Sequence, residues 1–206
     1  MKVNIFLAEK QIEVERVQID LSTHKWQLDE EHIKINPWRQ IPMLVVDGVT
    51  IYETVAICRY FDAIKAQPRL LFGNQPLERA SIEMWRRRVE LTGLSAMDDI
   101  VKNFAPHFKD RAIVGPGSTA QIPELINRGR LKLERFYNSM EQRFSTTEYV
   151  AGAVFTAADI EAYVVYKFSP YYCHMSGTKD YPHARRWYEQ LESRPAFEQF
   201  KTMELK

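Results

Sequence analysis

The stretch NPWRQIPMLVVDGVTIYETVAICRYFD, residues 36–62, decides the fold. At its centre Asp47-Gly48 separates Met43-Leu44-Val45-Val46 from Val49-Thr50-Ile51. An Asp-Gly pair between two such runs is a strong hairpin signal, because both central turn positions need positive φ. The period then changes: Val55, Ile57, Tyr60, Phe61 and Ile64 recur at helical spacing. Pro42 opens the first strand, one of the few places where a sheet tolerates a residue without an N–H. If the Ile41-Pro42 bond is cis, the N–H and C=O of Ile41 are left unpaired by the sheet and face outward. An extended peptide could pair with both, as a short added strand. Glu53-Thr54 stands between hairpin and helix. A helix N-terminus offers free N–H groups and a positive dipole end to a carboxylate. Thr54 adds a hydroxyl, and Glu53 can pair with an ammonium, so the two suit an α-amino acid head group. The bland alternative is an ordinary Thr N-cap.

Upstream, Val3, Phe6 and Leu7 fall at helical spacing and Glu9-Lys10 closes the segment. Ile12, Val14 and Val17 to Ile19 then predict a strand before Asp20, and residues 22–31 are mostly polar. Downstream, residues 67–76 hold Pro68, Gly73, Asn74 and Pro76 and suit an inter-domain linker. Beyond it nearly everything reads as helix. Residues 77–104 carry Ile82, Trp85 and Val89. After the loop Gly115-Pro116-Gly117-Ser118, a helix from near Pro123 lines Leu133, Phe136, Tyr137, Met140 and Phe144 along one face. Further helices start at Ala157 and Pro182. Thr156 and Asp159 make a capping box, with Phe155 and Ile160 as its hydrophobic staple. The organisation is a mixed α/β domain over 1–66, a linker over 67–76 and an all-α domain over 77–206.

The chain has 206 residues, 45% of them hydrophobic, enough for one large or two small domains. With 28 basic and 27 acidic residues the net charge is +1, which gives no reason to propose nucleic acid or an anionic membrane as partner. Arg86-Arg87-Arg88, the only compact basic run, reads as a solvated or inter-subunit helix face. Cys58 and Cys173 form no CxxC or zinc-type spacing, so no metal is expected and a reducing compartment fits. Cys58 follows Val55-Ala56-Ile57 and reads as a buried structural thiol. No signal peptide or membrane-length apolar stretch is present, and the expected location is cytoplasmic.

Residues 36–62 resemble the N-terminal, thioredoxin-like domain of the cytosolic glutathione transferases, especially bacterial-type members. That family's pattern is Asn-Pro, a short gap, a hydrophobic residue before a cis-proline, a hairpin, then Glu-Ser ahead of a helix. The Thr156–Asp159 box and the ending Tyr181-Pro182-His183-Ala184-Arg185-Arg186-Trp187-Tyr188 carry the resemblance into the second domain. The resemblance implies that Ile41, held by the cis bond to Pro42, pairs with the cysteinyl backbone of glutathione. Glu53 and Thr54 would hold its γ-glutamyl end, with Gln40 beside the tripeptide. Thr54 replaces the usual Ser and keeps the hydroxyl. Trp38-Arg39 departs from the small residue often found before Gln. Glutathione as co-substrate, a small hydrophobic electrophile and a homodimer built on the long helices are implied as partners. Phe104, His107 and Tyr171, with Tyr172 and His174, are candidates for the electrophile pocket, although an aromatic run is more often packing, with Phe104 in the core and His107 at the surface. His24 and Lys25 fall where some members contact the glycyl carboxylate.

In that family a first strand and a loop with the thiol-activating Ser, Tyr or Cys precede the first helix. Here residues 6–10 resemble the end of that helix, so Met1 is expected inside it and the catalytic element before it. Three outcomes are open: a start recorded downstream of the true one, a sheet closed up around the gap, or a loosely held first domain. Two functions follow. One is a glutathione transferase, conjugating or reducing an electrophile; the other is a non-catalytic glutathione-binding or protein-interaction member.

Overall fold

The computed structural model describes residues 1–19, 29–113 and 117–201. Helix α1 (Lys2–Glu9) buries Ile5, Phe6 and Leu7. Residues 12–19 form no strand, contrary to the expectation from Ile12, Val14 and Val17. Alternation gives a segment a face, but a strand also needs a ladder partner, and among the described residues only two strands pair. These are β1 (Leu44–Val46) and β2 (Val49–Ile51), antiparallel, with Leu44 opposite Ile51 and Val46 opposite Val49. Asp47 at φ 50° and Gly48 at φ 78° make the turn that the sequence predicts. A short helix, α2 (Glu30–Ile35), was not expected in the polar stretch. Asp29 caps it, accepting from His32 N–H at 2.8 Å, and Glu30 and Glu31 lie at the positive end of its dipole.

Helix α3 (Thr54–Ile64) packs on α1 through Ile57, Cys58 and Phe61. The Pro/Gly-containing stretch after it is pinned down rather than loose. Leu71 and Phe72 are core residues, and their N–H groups each donate at 3.0 Å to the buried Asp62 carboxylate. Lys10, fully buried, sits 2.9 Å from Asp62 Oδ1 and donates to the Arg69 carbonyl at 2.6 Å. On the other side the Leu71 carbonyl accepts from Ala157 N–H at 3.0 Å.

The helical part begins with α4 (Pro76–Arg88), Pro76 occupying the first turn where its missing N–H costs nothing. It passes through a π-helical turn (Val89–Leu94) directly into α5 (Ser95–Phe104), so the expected helix over 77–104 is one continuous run with a wider turn inside it. Then follow α6 (Glu124–Phe144), α7 (Ala157–Tyr172), α8 (Pro182–Glu192) and the short α9 (Glu198–Lys201). Leu133, Phe136, Tyr137, Met140 and Phe144 form the buried stripe of α6 as predicted. Nearly the whole length of α7 is buried, which makes it the central helix of the bundle. Its capping box is present, and Asp159 Oδ1 also accepts from Val150 N–H at 2.8 Å and Trp187 Nε1 at 2.9 Å. Burial pushes the Asp159 carboxyl up to about 6, against these hydrogen bonds, which act in the opposite direction. Trp187 stacks on Phe144 at 4.6 Å; full burial of one such side chain contributes about 1.5–3 kcal/mol. Arg194 holds the two parts together. It donates to both Glu9 oxygens at 2.7 Å and lies 4.2 Å from the Phe155 ring centre. Among the described residues no helix is long and apolar enough to cross a membrane.

Candidate functional site

The loop before β1 is shaped by one buried side chain. Asn36 ends α2, its Nδ2 donates to the Gln40 carbonyl, and its own carbonyl accepts from Arg39 N–H at 3.0 Å. Arg39 takes φ 55° to close this turn. The turn delivers Ile41 to a cis Ile41-Pro42 bond, the isomer that the resemblance implied. Ile41 is 41% exposed, and neither its N–H nor its C=O bonds to another described residue. Gln40 is also exposed, while Pro42 is half-buried. Tyr52 Oη donates to the Ile35 carbonyl at 2.5 Å and ties the end of the hairpin to α2.

The register of the hairpin brings the second motif to the same place. Leu44 faces Ile51, so Pro42, two residues earlier, meets the level of Glu53, two residues later. Glu53 adopts φ 67° and is exposed; it is the N-cap of α3 and its side chain makes no cap hydrogen bond. Thr54 is therefore the first helical residue and not the cap itself. The first intrahelical bond runs from Ile57 N–H to the Glu53 carbonyl at 3.1 Å, which leaves the N–H groups of Thr54, Val55 and Ala56 without helical acceptors. Gln40, Ile41, Pro42, Glu53 and Thr54 thus converge on one end of the hairpin. His24 and Lys25 lie outside the described residues.

Behind Thr54 lies a cavity of about 20 Å³ between α1, α3, α4 and α7. Lys2, Thr54, Cys58, Phe72, Arg86 and Glu161 are among the residues lining it. Arg86 is buried, not part of a solvated basic face as the triplet suggested: its guanidinium contacts Glu161 Oε1 at 3.0 Å and Glu83 Oε2 at 2.7 Å. Of its neighbours, Arg87 pairs with Glu90 and Arg88 lies over Trp85. Lys2 Nζ is 3.9 Å from Glu161 Oε1. Burial raises the Glu161 carboxyl above its ordinary value, opposed by the charges of Arg86 and Lys2. Burial also pushes the Cys58 thiol up to about 12, so it is no nucleophile at neutral pH. Sequence reasoning missed Glu161 and Arg86. The available signal was a carboxylate inside the otherwise apolar face Ile160, Ala162, Tyr163, Val164 and Val165.

None of the aromatic candidates lines this cavity; they meet other rings in separate pairs. Phe104 is 54% exposed and meets the His174 ring edge-on at 6.3 Å; Tyr171 is exposed and meets Tyr172 at 5.2 Å. His107 lies on a 3₁₀ turn beyond α5, exposed, against Phe108 at 4.3 Å. Contacts of Arg86 with Glu161 and of Phe104 with His174 show that α4–α5 and α7 run side by side in one direction. Tyr171 therefore lies about 15 Å along α7 from Glu161 at the helical rise of ~1.5 Å per residue. Helix α1 runs the other way, with Glu9 at Arg194 and Lys2 at Glu161, so its N-terminal end points along α7 toward Tyr171.

A small sheet with a cis-proline before its hairpin, joined to an all-helical bundle, is the architecture of a thioredoxin-like domain carrying a helical partner domain. The chain belongs to the glutathione S-transferase family. The model described as "Glutathione S-transferase, N-terminal domain" matches residues 1–64, and "Glutathione S-transferase, C-terminal domain" matches residues 130–203. The structure is similar to a Gtt2-class glutathione S-transferase of Vibrio parahaemolyticus, with 32% identity and a TM-score of 0.79 over 95% of this chain and 88% of that one. It is similar as well to Gtt2 of Saccharomyces cerevisiae, with 28% identity and a TM-score of 0.81 over 96% and 93%. In sequence it is 29% identical to glutathione S-transferase F10 of Arabidopsis thaliana over 204 residues, 95% of this chain and 88% of that protein.

Proposed function

We propose that the hairpin end binds glutathione and that the chain acts as a glutathione transferase toward a small hydrophobic electrophile, as a cytoplasmic homodimer. The observation that carries this reading is the exposed Ile41, with its backbone pair unbonded to any described residue, set beside a helix N-terminus that carries free N–H groups. Ile41 offers one donor and one acceptor to the cysteinyl unit of the peptide. Thr54 and the first N–H groups of α3 take the α-carboxylate of the γ-glutamyl unit, and exposed Glu53 takes its ammonium. Gln40 lies alongside. Phe104, Tyr171 and His107 border the electrophile, Tyr171 on the side toward which α1 points. Bound glutathione attacks as the thiolate, which requires a hydrogen-bond donor at the sulfur to lower the thiol pKa.

Titration calorimetry of the chain with glutathione tests the site. Thr54→Val should weaken binding by about tenfold, the worth of one hydrogen bond to a charged group, while Thr54→Ser retains most of it. Equal affinity in Thr54→Val and the parent would refute the assignment. Spectroscopic titration of the bound thiol tests the chemistry: a pKa below that of free glutathione is expected for an enzyme, and an unshifted value contradicts transferase activity.

A further inference from the structure

Glu161, which lines the cavity behind Thr54, carries one atom whose chemistry is unfinished. Glu161 is only 3% exposed, and its Oε1 is taken by Arg86. Its Oε2 is buried and has no hydrogen-bond partner among the described residues. A carboxylate oxygen out of water without a donor is strongly disfavoured. None of the neighbouring donors reaches Oε2: the hydrogen bonds of Arg86 go to Glu83 and to Glu161 Oε1, and Lys2 Nζ lies 3.9 Å from Oε1. No direct hydrogen bond joins Glu161 to Thr54, although both line the same space. That space, about 20 Å³, exceeds the roughly 10–15 Å³ that one water needs.

We infer that this cavity is a binding site for a single water, which donates one hydrogen to Glu161 Oε2 and the other to the Thr54 hydroxyl oxygen. The direction of the second bond matters. A carboxylate only accepts, so the water turns one hydrogen toward Glu161. In the inferred arrangement its second hydrogen goes to Thr54, because the neighbouring cations Arg86 and Lys2 only donate and compete for the water's lone pairs. Thr54, now accepting from within, is left with its own hydroxyl hydrogen pointing outward. Resting on the reading that Thr54 meets the ligand's α-carboxylate, this makes Glu161 a positioning residue: it sets which way the Thr54 hydroxyl donates without touching the ligand. A water held by the Cys58 thiol instead would fix no such direction, since a thiol is a weak donor and a weak acceptor.

The test is a cycle on the full chain with two ligands, glutathione and its analogue γ-aminobutyryl-cysteinyl-glycine, which lacks the α-carboxylate. Glu161→Gln, Thr54→Val and the double variant are titrated with both. Glu161→Gln presents an amide that can donate into the cavity and reverse the water. It should weaken glutathione by about five- to tenfold, the scale of one misdirected hydrogen bond. The analogue should lose no affinity, and no further glutathione loss should appear in the Thr54→Val background. Equal losses for both ligands, or additive losses in the double variant, overturn the inference. A loss in Thr54→Val with none in Glu161→Gln overturns it while leaving the glutathione site intact. Unchanged affinity in Thr54→Val overturns site and inference together. Should Glu161→Gln not fold, a crystal structure of the parent chain decides. Ordered water within about 3.2 Å of both Glu161 Oε2 and Thr54 Oγ1 supports the inference, and a dry cavity overturns it.

Discussion

Replacing Lys10 by Met keeps most of the buried stem and removes the charge, which isolates the pair that clamps residues 69–72. Lys10 is fully buried and Asp62 nearly so, and their charged atoms are 2.9 Å apart. Removing one partner of a buried pair leaves the other charge uncompensated, at a cost of about 3–5 kcal/mol. That is a large share of a typical margin of about 5–15 kcal/mol. For a chain of this size it corresponds to a fall in Tm of about 6–20 °C, taking roughly 2–4 °C per kcal/mol. Asp62→Ala should cost more, because it also strips the Leu71 and Phe72 N–H groups of their acceptor, at roughly 1–3 kcal/mol for each donor left unpaired. Urea denaturation followed by circular dichroism, on both single variants and the double, measures these terms. The double should lose less than the sum of the singles. If Lys10→Met costs no more than about 1 kcal/mol, as an exposed pair would, the buried pair is not what holds residues 69–72 in place.

Two further perturbations probe other parts of the molecule. A methyl group at Gly177 would stand 2.5 Å from Tyr137 Cε1 and 2.6 Å from Tyr166 Cε1, so Gly177→Ala should cost about 1–3 kcal/mol by overpacking; an unchanged urea midpoint would show that the rings yield freely. Burial holds the thiols of both Cys58 and Cys173 at about 12. At pH 8 a thiol reagent should leave the native protein unlabelled and titrate both after unfolding, and rapid labelling of the native chain would contradict that burial.

The hairpin was legible in the sequence because Asp47-Gly48 fixes the turn, the turn fixes the register, and the register brings Pro42 level with Glu53. The capping box before α7 was equally plain, since its hydrogen bonds are local. What stayed hidden depends on partners distant in sequence. Residues 12–19 have the alternation of a strand, yet no described segment pairs with them. Lys10 looked like the polar end of a helix, whereas Asp62 and the Arg69 carbonyl draw it inside. Arg86 read as one of three surface arginines until Glu161, 75 residues away, supplied its counter-charge. Local chemistry is written in neighbouring residues; the burial of a charge is written in residues the fold has to bring together. Gln40, Ile41, Glu53 and Thr54, the residues of the proposed site, could be read together because their arrangement belongs to the first kind.

The π turn at Val89–Leu94 gives one helical rod two orientations. Ahead of it α4 lies against α7; after it α5 lies against α6, with Gly129 and Ser95 at the seam. A regular helix advances by about 100° per residue, and a wider turn shifts that phase without breaking the rod. Chain length between Arg88 and Ser95 is therefore a fixed dimension of this molecule. Substitutions there change a side chain, but the loss of a single residue would rotate everything beyond it, carrying Phe104 away from His174 and the apolar stripe of α5 off α6. In a lineage descending from this sequence, that six-residue segment should drift in composition long before it changes in count.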